Sequence, residues 1–429
     1  MLKKAPLVEP FLSLALMKNF IILAVALSLI SCESTNNQGA ENRISIPATP
    51  WRFTLNLNGH SLPFNGTFSN VEKRSATLTL RNADEKIIIE NVILRNDSVI
   101  VELPFFNTEM HLRVESPFML SGVWVNLDKE DYRIPLNAEQ GQDFRFTNTG
   151  SQLQLPSKYM AKFELGTDTE YPAVLLLENN SGKLTGTFLT ETGDYRYLEG
   201  NIMNKSVYLS TFDGSHALYF QAEIKADSLV NGIFKSGKNY VTDWMAFADS
   251  TATLKKPEEI TSIKGSDSMD INLRNQDGEV VDWAGLDLDG KVVILDIMGT
   301  WCPNCMDASR ALKELATPYS ENDLVVVPVL FEYRDDLTKA RKAFSEYSER
   351  LNIPETFLFG GKASKKVATK KFPMLSSISS FPTLVFVGRD RQIAEVYTGF
   401  YGPGTGEYYN EFMRNKEKLL ARLVNDEIQ

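Results

Sequence analysis

The feature that most restricts the fold is a series of short β-like segments that fills residues 50–248. Runs of alternating or continuously apolar residues recur there between turn residues, whereas the periodicity of helices is nearly absent. With 429 residues, the chain is too long for a single hydrophobic core, so we expect more than one domain. The first is predicted to be an all-β domain over residues 50–249.

This all-β region contains two related halves, residues 50–138 and 160–248. The tripeptide GTF at 66–68, for example, recurs at 186–188, and other short motifs follow in the same order. Because closure removes exposed strand edges, two consecutive halves predict one closed or nearly closed antiparallel barrel. Chance similarity among short β motifs is the alternative.

The remainder of the chain has a different pattern. Residues 250–268 are polar and charged and contain a proline, which predicts a linker between domains. From 269 to 429, strand-like and helix-like segments alternate. The expected fold class is therefore an α/β domain that follows a duplicated, barrel-like all-β domain.

The N-terminal residues predict export. Residues 17–32 carry one lysine, a short apolar run and then small and polar residues, as a secretory signal peptide does. The end of this segment resembles the bacterial lipobox, which implies lipidation of Cys32. We expect a signal peptide over 1–31, with Met17 as an alternative start, and a lipidated tether over 32–49. A plain signal peptide with a chance cysteine is the alternative.

Charge and cysteine content restrict the range of possible functions. The net charge of −10 argues against nucleic acid as a partner. If Cys32 carries lipid, Cys302 and Cys305 are the only thiols left among the three cysteines of the chain. They lie in the motif GTWCPNC, residues 299–305, and outside the cytoplasm such a pair can persist as a disulfide.

Three interpretations of this pair compete. A closed zinc site needs four ligands, but the C-terminal region has no histidine and no second CxxC. A purely structural disulfide across two residues would stabilise the fold weakly, since the entropic gain grows with loop length. The third interpretation is a dithiol that undergoes redox chemistry, for which neither metal nor cofactor is expected.

The neighbouring residues favour the redox dithiol. Cys302 follows an apolar strand, and Pro303 suits the first turn of a helix. The Cys302 thiol would therefore lie at a helix N-terminus, where the helix dipole favours the reactive thiolate. Cys305, one turn later, would be the resolving thiol that displaces the reduced substrate from a mixed disulfide.

A family resemblance follows from these motifs. A strand, GTWCPNC and a helix, followed by the SFPT at 380–383 before another strand, resemble the TlpA/ResA-like extracytoplasmic thiol–disulfide oxidoreductases of the wider thioredoxin and AhpC/TSA grouping. The resemblance covers about 265–429 and implies a thioredoxin fold there. The segments KFPML at 371–375 and GFYGPGTGEYY at 399–409 resemble a lipoprotein branch common in Bacteroidetes-type bacteria.

The resemblance also assigns supporting residues around the cysteines. It implies that Trp301 shields the dithiol, with Pro303 between the two cysteines. Pro382 would be a cis-proline that lies against the dithiol and, with Phe381 and Thr383, presents backbone to a bound substrate. An ordinary proline at a strand start is the alternative for Pro382.

Asp296 is a candidate proton acceptor. It interrupts an apolar strand six residues before Cys302, where desolvation should raise the pKa of its carboxyl group. It matches the buried acid of thioredoxins, although an aspartate bonded to backbone at a strand bend would also explain it. Many relatives have a glutamate three residues after the second cysteine. This chain has Ala308 there, and Asp307 is expected on another face of the helix.

The leading hypothesis is a lipid-anchored oxidoreductase of the cell envelope, facing the periplasm, that reduces disulfides of exported proteins. The resemblance implies a membrane electron donor of the CcdA/DsbD type. Two alternatives stay open: a thiol peroxidase, because Thr300 precedes Cys302 by two residues as in peroxiredoxins, and a β-domain binding module with an auxiliary redox domain. Glu332, after a later strand, is interpreted as a surface charge.

Overall fold

The computed structural model describes residues 46–72, 74–151 and 153–426. The predicted signal peptide, the alternative start at Met17, the lipidation site Cys32 and most of the tether lie outside the described residues. Within the described ranges, no helix combines the length and apolar character that a membrane span requires.

Eight antiparallel strands close into a first barrel, with β1 paired to both β2 and β8. Alternate side chains point inward, so Trp51, Phe53 and Leu55 of β1 are fully buried while their neighbours are not. The strands are β1 Pro50–Leu57, β2 His60–Ser69, β3 Ser75–Asn82, β4 Glu85–Arg95, β5 Ser98–Leu103, β6 Thr108–Ser116, β7 Met119–Asn126 and β8 Arg133–Gln140.

A second ring of eight strands follows, because β9 pairs with β10 and β17, and β10 also pairs with β11. A ninth, two-residue strand, β12, extends from β11. The strands are β9 Lys158–Phe163, β10 Tyr171–Asn180, β11 Lys183–Thr190, β12 Gly193–Asp194, β13 Leu198–Met203, β14 Ser206–Phe212, β15 Ala217–Lys225, β16 Ser228–Ser236 and β17 Tyr240–Ala248.

The fold class predicted from the sequence is therefore wrong. The chain is mostly β-structure with two separate barrels, instead of one duplicated barrel beside an α/β domain. The sequence pattern did not show β2 and β8 in the first half, or β9, β12 and β17 in the second. Pro63, Gly66 and Pro135 interrupt the pattern of two of these strands. With all eight strands present, the first and last strands of each half can pair with one another. Each half therefore closes into its own barrel without strands from the other half.

The C-terminal region holds a seven-stranded mixed sheet in the order β19-β18-β22-β21-β20-β23-β24. Its strands are β18 Leu273–Asn275, β19 Val280–Val281, β20 Val292–Met298, β21 Leu324–Glu332, β22 Leu358–Lys362, β23 Thr383–Val387 and β24 Ile393–Thr398. The helices are α1 Pro257–Ile260, α2 Pro303–Ala316, α3 Leu337–Leu351, α4 Lys365–Lys371 and α5 Glu407–Asn425, with 3₁₀ turns at Ala284–Leu286 and Pro403–Thr405.

Strand β20 is central to this sheet, parallel to β21 and antiparallel to β23. Its alternate residues belong to two different hydrophobic cores, one on each face of the sheet. Burial on both faces explains why the strand is continuously apolar. The predicted linker contains α1 and contacts the sheet, since Thr261 shares a 2.6 Å hydroxyl hydrogen bond with Thr398 of β24.

Candidate active site

The two cysteines lie where the central strand gives way to a helix. Strand β20 ends at Met298, and α2 begins at Pro303 with Cys302 as its N-cap residue. Cys302 and Cys305 are joined by a disulfide, and their Cα atoms are 5.2 Å apart. The backbone N–H of Cys305 donates to Sγ of Cys302 at 3.2 Å. When the bond is reduced, this N–H and the helix dipole both favour a thiolate on Cys302.

Burial distinguishes the two sulfur atoms. Cys302 is 6% exposed, whereas Cys305 is completely buried. Both belong to one apolar cluster with Met298 of β20 and Met306 of α2. The more accessible cysteine is thus also the one at the helix N-terminus, as a nucleophile and its resolving partner require.

The segment before β23 lies against the dithiol. The Phe381–Pro382 peptide bond is cis, as the resemblance predicted. The Phe381 carbonyl oxygen is 3.5 Å from Sγ of Cys302. Thr383 donates from its hydroxyl to the Ser380 carbonyl at 2.9 Å. The structure therefore brings the Phe381 carbonyl to Cys302, and Pro382 and Thr383 follow it directly in the chain.

Trp301 is fixed on the other side of the loop. Its indole N–H donates to the Phe331 carbonyl at 2.9 Å, and its ring contacts Tyr333 and Phe381 with centroids 5.1 and 5.9 Å away. The ring is partly buried and lies next to the cysteines. This position is compatible with the shielding role that the resemblance implies.

Asp296 lies below α2 on β20 and is 1% exposed. Its Oδ2 accepts from the Ser309 hydroxyl at 3.1 Å, and Ser309 in turn accepts from the Tyr347 hydroxyl at 2.9 Å. Its Oδ1 has no hydrogen-bond partner among the described residues. Desolvation raises the pKa of Asp296 to about 7, against a smaller opposite effect of Ser309. Among the described residues, the carboxyl group accepts a hydrogen bond from a helix side chain and none from backbone.

Ser309 is one helical turn after Cys305, so Asp296 lies under the same face of α2 as the resolving cysteine. A carboxyl group with a pKa near neutrality and one unoccupied oxygen can take the proton that Cys305 must lose before it attacks. Sequence reasoning found Asp296 but not the Ser309–Tyr347 pair.

Glu332, interpreted from the sequence as a surface charge, instead contacts the loop before Cys302. It is half-buried at the end of β21, and its carboxylate accepts from the Thr300 N–H at 2.9 Å and from the Thr300 hydroxyl at 3.2 Å. Burial raises its pKa to about 7. Because β20 and β21 are parallel neighbours, their ends meet, and this adjacency could have revealed the contact.

Arg196 reaches the cysteine motif from the second barrel, and nothing in the sequence indicated this. The guanidinium is buried and donates to the Pro303 carbonyl, between the two cysteines, at 3.2 Å. It also pairs with Asp307 of α2 and with Glu85 of the first barrel. Arg196 therefore connects both barrels to the helix that carries the dithiol.

No protein-family model matches the sequence, and no curated protein matches it. Solved structures do match part of it. A thiol:disulfide interchange protein of the thioredoxin family from Chlorobium tepidum TLS has 13% identity over 38% of this chain and 99% of its own, with a TM-score of 0.28. A thiol-disulfide isomerase from Corynebacterium glutamicum has 16% identity over 39% and 97%, with a TM-score of 0.28.

A DsbF homologue from Corynebacterium diphtheriae has 16% identity over 38% of this chain and 97% of its own, again with a TM-score of 0.28. These neighbours are thioredoxin-like thiol:disulfide interchange proteins, and they leave more than half of the chain unmatched. At such identities and TM-scores, the likeness does not assign a function, which has to be derived from the geometry of the dithiol.

Proposed function

We propose that this chain is a thiol–disulfide oxidoreductase that works through Cys302 and Cys305. The observation that carries the proposal is the placement of the pair: one sulfur at the N-terminus of α2 beside the Phe381 carbonyl, the other buried above Asp296. A structural disulfide needs neither the difference in burial nor the acid.

The reaction starts from the reduced dithiol. The Cys302 thiolate attacks one sulfur of a substrate disulfide, a mixed disulfide forms, and the other substrate sulfur leaves as a thiolate that takes up a proton. Cys305 then passes its proton to Asp296 and attacks Cys302, which forms the intramolecular disulfide and releases the second substrate thiol. Two electrons pass to the substrate, and a separate reductant must restore the dithiol.

The finer parts of the proposal come from the resemblance to TlpA/ResA-like proteins. The chain would be anchored in the cell envelope through lipid on Cys32 and would reduce disulfides of exported proteins. A CcdA/DsbD-type membrane protein would supply the electrons. The peroxidase alternative is not favoured, because the Thr300 hydroxyl donates to Glu332.

The test uses single cysteine variants of the whole chain. Cys302→Ser should lower dithiothreitol-driven reduction of a small disulfide by about three orders of magnitude or more, since the nucleophile is lost. Cys305→Ser should instead accumulate a mixed disulfide through Cys302 that mass spectrometry detects. Full activity of Cys302→Ser, or turnover of hydrogen peroxide faster than of disulfides, would contradict the proposal.

A further inference from the structure

The surface around the dithiol is occupied by other parts of the same chain. We call this cover the roof, and it consists of residues 104–107 of the first barrel and residues 192–196 and 213–216 of the second. Hydrogen bonds join the second barrel to the residues beside the cysteines: Ser380 Oγ to the Thr192 carbonyl at 2.6 Å, Asn304 Nδ2 to the Asp194 carbonyl at 3.2 Å, and Ser215 Oγ to the Trp301 carbonyl at 3.2 Å.

The first barrel contributes two aromatic side chains from the loop between β5 and β6. Phe106 is 6% exposed and belongs to the same apolar cluster as Cys302 and Cys305. Phe105 packs edge-on against Tyr347, with centroids 6.1 Å apart. The guanidinium of Arg310 lies 5.6 Å from the centre of the Phe105 ring. This part of the roof is held to the C-terminal region by side-chain packing.

The backbone of this loop is strained. Phe105 has a φ of 74° and Asn107 a φ of 24°, both in the left-handed region. A bulky residue such as phenylalanine rarely adopts a positive φ, and residues held that way cluster at ligand clamps and switch regions. The loop thus accepts an unfavourable backbone conformation in a position that covers the cysteines.

The two parts of the roof are held differently. The second-barrel part is tied down by Arg196, whose buried guanidinium pairs with Asp307 and bonds the Pro303 carbonyl. Directly after the Phe105–Phe106 loop, Thr108 at the start of β6 donates to the Gly214 carbonyl of the second barrel at 2.6 Å. The contact of the loop with the dithiol itself is apolar, so this loop is the part that can yield to an incoming substrate.

We propose that the roof determines which disulfides reach Cys302, and that it admits disulfides on short, flexible chains while it excludes those held in folded proteins. This inference rests on the function proposed above. A folded partner would need a broad contact surface, about 800 Å² on each side, that includes the residues next to the cysteines. Those residues are already bonded to the second barrel, whereas a flexible chain needs only the space that the Phe105–Phe106 loop covers.

The experiment measures single-turnover oxidation of the reduced whole chain by two disulfides, followed by the change in total tryptophan fluorescence. Oxidised glutathione represents the flexible class and insulin the folded class. In the wild type, glutathione should react faster than insulin. The double variant Phe105→Ala/Phe106→Ala should raise the insulin rate about tenfold or more while it changes the glutathione rate by less than about threefold.

Phe118→Ala is the matched control, because Phe118 is a 64% exposed phenylalanine of the same barrel. It should leave both rates as in the wild type. Equal wild-type rates with the two reagents, or an unchanged ratio in the double variant, would overturn the roof inference. If neither reagent oxidises any form of the protein, the proposed function itself fails.

A second measurement tests the proposed role of the roof even if the double variant does not fold. The reduced wild type is alkylated at Cys302 with iodoacetamide and with a maleimide on a polyethylene glycol chain, and each rate is divided by its rate in urea. The roof predicts that folding slows the bulky reagent about tenfold more than the small one, since thiol reactivity depends on access. Equal slowing of the two reagents would refute it.

Discussion

The two sides of helix α2 bury the same chemical group in different surroundings. On the sheet side, Asp296 has one hydroxyl partner and no cation among the described residues, and burial raises its pKa to about 7. On the barrel side, Asp307 is equally buried but pairs with Arg196 and Arg310. Burial raises the pKa of Asp307 as well, and the two guanidinium groups oppose that rise.

The difference shows how one helix can lie between a carboxyl group suited to proton exchange and another suited to ion pairing. A buried carboxyl group without a cation titrates near neutral pH and can exchange a proton with Cys305. A buried carboxyl group beside two guanidinium groups can instead join elements through ion pairs. The sheet therefore carries the proposed proton acceptor, and the second barrel carries the cation that pairs with Asp307.

The largest effect is expected when a substitution removes the cation on the barrel side. Arg196→Met leaves Asp307, Glu85 and Asp213 buried without their common partner. The free energy of unfolding, measured in urea, should fall by about 3–5 kcal/mol. Arg414→Met removes an exposed ion pair with Glu407 and should leave the free energy of unfolding as in the wild type. Similar losses in both variants would mean that Arg196 is not a structural tie.

A smaller effect is expected on the sheet side, and it depends on pH. Asp296 has a pKa of about 7 in the folded chain against an ordinary value of 3.8 in an unfolded chain, a rise of about three units. The folded state therefore holds its proton more tightly than the unfolded state. The contribution to stability is complete below pH 4 and is lost as pH rises to 7. At about 1.4 kcal/mol per unit, the loss is at most about 4 kcal/mol.

Asp296→Asn should abolish this particular pH dependence. Urea unfolding at pH 4 and pH 8 would show a smaller decrease for the variant than for the wild type. An identical decrease in the two proteins would show that Asp296 does not carry the raised pKa, and the contrast between the two sides of α2 would disappear.

The smallest effect is expected when the single hydrogen bond that Asp296 accepts is removed. Ser309→Ala removes a donor that lowers the pKa of Asp296, so that pKa should rise further, by less than about one unit. The pH midpoint for release of the mixed disulfide by Cys305 should move upward by the same amount. Tyr347→Phe, which keeps Ser309, is the matched control and should shift the midpoint less. A downward shift in Ser309→Ala would contradict the assignment.

Sequence patterns predicted the local placement of single residues better than architecture. The positions of Cys302, Cys305, Pro382 and Asp296 follow from short motifs, because a thiol at a helix start and an acid in an apolar strand have clear sequence signatures. The number of barrels was wrong, because prolines and glycines obscured strands such as β2 and β8.

Contacts between the barrels and the C-terminal region left no signature in the sequence. Arg196 looks like any polar residue of a β-turn, and its partners Glu85 and Asp307 each lie 111 positions away in the sequence. Phe105 and Phe106 look like two loop phenylalanines until the fold brings them to the cysteines. Periodicity and propensity describe neighbours along the chain, so they cannot reveal such pairs.

The hydrogen bond between Ser380 and Thr192 spans 188 residues. During synthesis, N-terminal domains generally fold first, so both barrels are complete before the last strands of the sheet exist. The roof is thus already folded when the cysteines are synthesised. Proteolytic removal of both barrels would take the roof away and open Cys302 to disulfides of folded proteins as well.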